Sequence, residues 1–227
     1  MSNDELVKGH RARLKERFVK APNSLPDYEI LELILYSAIP RKDVKPIAKN
    51  LLKHFKSLKG IVCSEQYLLM TVGGLGEQAS IYMNILRELM SRVLKDELKV
   101  QSLLNNQEKV AEYLQVNMAY LVHEQFRVLF LNTKNFLMLD EVQQHGTTDQ
   151  VALYSRNIIK RALEIGASAL ILVHNHPTGD STPSKADIEG TMELKQACMN
   201  MNIDLYDHII IGKHGFYSFL EHGLFRD

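Results

Sequence analysis

Five consecutive apolar residues, Ala169-Leu170-Ile171-Leu172-Val173, run directly into His174-Asn175-His176, after which Pro177 and Gly179 break the chain. A run this short and this apolar reads as a buried strand, and such a strand needs cover on both faces. The flanks supply it. Ser155 to Ile165 carries Ile158, Ile159, Ala162, Leu163 and Ile165 at helical spacing and stops at Gly166, a residue suited to a helix end. After the break, Ser184 and Asp187 open a second helix that runs to about Met201, with Ile188, Met192, Leu194, Ala197 and Cys198 on its apolar side. The order helix, buried strand, loop, helix predicts an α/β layered domain.

The strand's end carries the chemistry. Side chains two apart in a strand point the same way, so His174 and His176 present both imidazoles on one face. Residues 177–186 form a ten-residue loop and first helical turn, long enough to swing the Asp187 carboxylate back over the strand end. Two neutral imidazoles and one carboxylate suit zinc and leave the fourth tetrahedral position for water. A water made acidic by zinc still needs a base to collect and return its proton, which predicts an acid elsewhere in the chain. Ser184-x-x-Asp187 also reads as a capping box, with Asp where Glu or Gln is commoner. The two roles are compatible.

His174, His176, Ser184 and Asp187 stand as H-x-H, seven residues, S, two residues, D, which resembles the signature of the JAMM (MPN+) metalloproteases. The wording HNHPTGDSTPSKAD, with EQFRVLFLN and DHIIIG, is similar to the RadC-type branch of that family, and the first hundred residues also resemble the N-terminal part of RadC-type proteins. The resemblance implies an MPN-type α/β domain over residues 101–227 with a mixed sheet and cytidine-deaminase-like layering. It also implies a zinc-water hydrolase acting on a peptide or protein, with a glutamate on an earlier strand as general base and the serine steadying the tetrahedral intermediate. Glu124, at the entrance of the strand-like run Glu124 to Leu131, matches the family's glutamate position; Glu141, on the next strand-like run Phe136 to Gln143, is the other acidic candidate. His208, before an Ile-Ile-Ile strand, is placed to hydrogen-bond near the site without being a ligand.

Residues 1–100 read as a small all-helical domain. Residues 4–20 form a basic amphipathic helix containing Lys8, Arg11 and Arg13, followed by a helix capped by Asp27, a third opened by Asp43 and Pro46, and short helical pieces to Met70. Val72-Gly73-Gly74-Leu75-Gly76 then precedes a long helix from about Glu77 to Val93, and Lys95 to Gln101 reads as a polar linker. The glycine pattern resembles the hairpin of helix-hairpin-helix DNA-binding modules, in which Gly74 and Gly76 would free backbone N–H groups for a phosphate. Glu77 directly after it repels one.

Charge bears on that choice. Residues 1–100 carry 17 Lys+Arg against 12 Asp+Glu and the remainder 10 against 15, so the halves are +5 and −5. A positive helical half permits contact with DNA, which is mainly phosphate neutralisation; an acidic half argues against duplex DNA at the hydrolase site. Cys63 and Cys198 lie far apart without C-x-x-C spacing, so neither a disulfide framework nor a zinc finger is written here. An N-terminus without a long apolar core, and no run approaching 18 apolar residues, leads to the expectation of a cytoplasmic protein with no membrane partner. Self-association is left open. Two rival readings accompany the hydrolase: a DNA-associated accessory protein, in line with the repair function for which the family was named, and a metal-free MPN-type scaffold.

Overall fold

The computed structural model describes residues 3–40, 42–100, 102–145 and 155–225 and divides into two units, Met1–Leu89 and Met90–Asp227, each with its own core. The first unit is helical: α1 Asn3–Lys20, α2 Asp27–Ala38, α3 Lys45–Phe55, α4 Leu58–Cys63, α5 Gln66–Leu69 and the first turns of α6 Glu77–Lys99. Leu14, Leu31, Leu35, Leu51, Ile61, Leu69 and Met83 close its core. Asp27 begins α2 without capping it, because Pro26 takes the N-cap position and makes no side-chain cap bond. The charged residues from Lys95 to Lys99 are the last turn of α6 and not a linker. Leu98 anchors that turn in the second unit's core beside Leu103 and Leu114.

The second unit is a five-stranded mixed sheet with helices on both faces. Its strands are β1 Gln125–Leu131, β2 Leu137–His145, β3 Ala169–Asn175, β4 Asp204–Ile211 and β5 Phe216–Ser218, in the order β2-β1-β3-β4-β5. β1 runs antiparallel to β2 and β3, β4 parallel to β3 and antiparallel to β5. Every residue of β3 is buried, as its apolar run requires. A parallel pair needs a crossover connection, and α9 Lys185–Met199 provides it between β3 and β4.

The alternation along the strands sorts the core. Leu129, Leu131, Ile171, Val173, Ile209 and Ile211 pack with α7 Gln107–Met118, whereas Phe126, Val128, Phe130, Leu170 and Leu172 pack with α8 Ser155–Ile165 and α9. His174 continues the side of Leu170 and Leu172, so the imidazole emerges on the α9 face. Among the described residues no helix is long and apolar enough to cross a membrane.

Candidate metal centre

In the β1–β3 ladder Phe126 stands opposite His174, so Glu124, two residues before Phe126, falls on the same face beyond the ladder's end. Asn175 sets that position. Its Oδ1 accepts from Gln125 N at 2.9 Å and its Nδ2 donates to His123 O at 3.1 Å, gripping the backbone on both sides of Glu124. At 1% exposure the Asn175 amide is buried and these bonds satisfy both its ends. The result brings Glu124 Oε1 within 3.8 Å of His174 Nε2 across fifty residues of sequence. Glu141 is elsewhere: it pairs with Arg161 of α8 at 2.9 Å.

His176 lies one residue past the end of β3, its N–H bonded to Ile211 O at 3.0 Å. The loop then turns back. Gly179, at φ +95°, donates to His176 O and accepts from Lys213 N, seating the loop on the β4–β5 turn. This folding brings Asp180 O to 2.8 Å from His176 Nδ1. A carbonyl only accepts, so Nδ1 carries the proton and Nε2 of the neutral ring presents its lone pair. That Nε2 lies 3.0 Å from His174 Nε2.

Asp187 arrives through the capping box of α9. Ser184 Oγ accepts from Asp187 N at 3.1 Å, and Asp187 Oδ2 accepts from Ser184 N at 2.7 Å. Asp187 Oδ1 lies 3.3 Å from His174 Nε2, and Oδ2 lies 3.7 Å from His176 Nε2. Asp187 therefore serves both the cap and the cluster. Behind His174, Nδ1 sits 2.8 Å from His208 Nε2, and His208 Nδ1 sits 2.6 Å from Thr191 Oγ1.

One ligand atom from each of Glu124, His174, His176 and Asp187 lies within 4.8 Å of every other. Ligands about 2.0–2.1 Å from a common zinc at tetrahedral angles stand about 3.3 Å apart. The separations of 3.0, 3.3 and 3.7 Å among His174, His176 and Asp187 match that edge, and the donor set fits a divalent cation. Burial of the two inner histidines suits one too. Burial pushes His174 down to about 4 and His208 well below the ordinary histidine value. Burial would raise the Asp187 carboxyl, but the facing imidazole of His176, the charge of His174 and the bonds from Ser184 outweigh it and hold it well below the carboxylate range. His176 is raised, chiefly by the facing Asp187 carboxylate, so a metal ion at its Nε2 would have to compete with a proton.

The residues read as nucleic-acid contacts lie in the first unit. Arg11 is committed to structure: its guanidinium donates to the carbonyls of Pro40, of Ile39 at 3.0 Å and of Lys42 at 2.6 Å, and lies 4.5 Å over the Tyr36 ring. It closes the C-terminal end of α2 instead of facing a phosphate. Arg13 is exposed, and the side chain of Lys8 lies outside the described residues. Gly74 has φ +89° and is packed so closely on Ile47 that a Cβ would stand 3.1 Å from that side chain, a helix-packing reason for the glycine. Gly76 O accepts from Ala79 N and Ser80 N as α6 begins.

Asn175, Asp180 and Thr191 carry roles that sequence reading misses. Thr191 has a weak signal, standing one helical turn after Asp187 on the same face; the Asp180 contact is through the backbone and has none. A family profile described as the RadC-like JAB domain matches residues 104–224, the span that holds every member of this cluster.

Proposed function

Because this chain belongs to the RadC-like JAB domain family, we propose that it is a zinc-dependent hydrolase of JAMM type that cleaves an amide bond in a peptide or protein, as a peptidase or isopeptidase. The observation that supports this most directly is the convergence of two imidazole nitrogens and two carboxylates within 4.8 Å at the end of a buried strand. His174, His176 and Asp187 are the ligands. Bound zinc supplies Lewis acidity, making water nucleophilic near neutral pH and polarising a substrate carbonyl.

The protein groups do the rest. Glu124 Oε1, 3.8 Å from His174 Nε2, is held beside the ligands by the Asn175 bonds and takes the proton of the attacking water. It then returns that proton to the leaving amine, so the departing group is a neutral amine. Ser184 Oγ accepts from Asp187 N and keeps its own proton for donation to the oxyanion. The capping turn is exposed, which leaves that hydroxyl open to a substrate from solvent. A metal-free scaffold would need none of these groups together, and the complete set favours the enzyme.

Elemental analysis of protein purified without chelator should find about one zinc per chain, and His176→Ala should lose it. Glu124→Gln should keep zinc while cleavage in an unbiased peptide library falls roughly 10²–10⁴-fold. Zinc-free wild-type protein that takes up none on titration rules the proposal out; full activity in Glu124→Gln reassigns the base.

A further inference from the structure

Asp187 and His174 are joined a second time, away from the metal position, through a buried chain of side chains. Thr191 Oγ1 lies within hydrogen-bond distance of the Asp187 carbonyl one turn earlier in α9, and 2.6 Å from His208 Nδ1. His208 Nε2 lies 2.8 Å from His174 Nδ1. All three side chains are sealed, with Thr191, His208 and His174 at 0%, 1% and 2% exposure. The chain has a direction. A carbonyl has no proton, so the single Thr191 hydroxyl proton goes to Asp187 O, and only an Oγ1 lone pair remains for His208. Nδ1 of His208 must then carry that ring's proton. Burial favours the neutral ring, so Nε2 is an acceptor and takes the proton of His174 Nδ1. This leaves His174 Nε2 bare, facing His176 Nε2 at 3.0 Å.

We infer that Thr191 and His208 are positioning residues that fix His174 in its Nδ1–H tautomer, with Thr191 tying that choice to the backbone of the helix that delivers Asp187. The inference rests on the metal reading above for its purpose and on hydrogen-bond direction for its content. Without the hydroxyl, His208 Nδ1–H has no hydrogen-bond acceptor among the described residues of a sealed site. The ring regains a partner by moving its proton to Nε2 and donating to His174 Nδ1. His174 then carries its own proton on Nε2, in the place of the cation. The cluster would keep its shape and lose its affinity.

The variants are Thr191→Val, which keeps the shape, and Thr191→Ser, which keeps the hydroxyl. In metal-free protein, long-range 1H–15N correlation of the imidazoles should show His174 as the Nδ1–H tautomer in wild type and Thr191→Ser, and as Nε2–H in Thr191→Val. Zinc affinity by chelator competition should fall about 10–100-fold in Thr191→Val, the range typical of a lost outer partner, and return in Thr191→Ser. Unchanged His174 tautomer and wild-type affinity in Thr191→Val overturn the inference. So does an equal loss in both variants, which marks Thr191 as packing alone. A wild-type protein that binds no zinc defeats the hydrolase reading instead, while the tautomer measurement still decides the relay.

Discussion

Asp207 shows what one buried carboxyl does to this fold. It is 2% exposed and accepts from Ser218 Oγ at 2.6 Å, His208 N at 2.7 Å and Leu220 N at 3.0 Å, fastening β5 and the following turn to β4. Burial outweighs these three bonds and raises its pKa from 3.8 to about 6. A carboxyl that holds its proton more tightly folded than unfolded stabilises the fold fully below the unfolded pKa, and that contribution is lost as pH rises through the folded one. At about 1.4 kcal/mol per pH unit the loss is on the order of 3 kcal/mol. Asp207→Asn keeps the shape and removes the titration. The stability of wild type relative to Asp207→Asn, from urea unfolding, should therefore rise as pH is lowered from 7 to 4. A flat difference would show that Asp207 does not titrate there.

Among the elements, the loop from Pro177 to Pro183 depends on the β4–β5 turn beneath it. Gly212 lies so close to the loop that a Cβ would stand 2.4 Å from Gly179 O and 3.2 Å from Ser181 N. Neither neighbour is a flexible side-chain end, so Gly212→Ala has to lift the loop. Overpacking of this kind costs about 1–3 kcal/mol. Lifting also takes Asp180 O away from His176 Nδ1 and loosens the approach of Asp187. The variant should keep its far-UV circular dichroism, since β3 and α9 are packed through other residues, and should bind zinc more weakly. Wild-type zinc affinity would mean that the loop holds its place without this seat.

For the whole molecule, each unit has its own core, and α6 contributes to both, with Met83 in one and Leu98 in the other. All four cluster residues belong to the second unit. A ligand bound only by the folded state stabilises it by about 2.7 kcal/mol at a hundred times its dissociation constant. For a unit of this size that raises the midpoint by roughly 5–15 °C. Calorimetry should therefore show zinc moving the transition of the second unit upward and chelator reversing it, with the helical unit's transition unmoved. Equal movement of both would show that the chain unfolds as one body. The uneven charge, +4 over Met1–Leu89 and −4 over Met90–Asp227, separates the two units chemically as well.

Much of this was written in local order along the chain. The apolar run into His174 dictated a buried strand, Gly166 and Ser184 marked the ends of the flanking helices, and the two-residue period put both imidazoles on one face. Those are short-range effects of backbone geometry and solvent exclusion. The choice between Glu124 and Glu141 was not local, since it depended on which strand pairs with β3 and on the Asn175 amide that grips the β1 entrance. Arg11 read as a candidate nucleic-acid contact because its acceptors are carbonyls about thirty residues away in the chain. The path from Asp187 through Thr191 and His208 to His174 exists only once α9 and β4 are packed against β3. Hydrogen bonds between residues distant in sequence, and the tautomers they impose, come with the fold; strand and helix periodicity come before it.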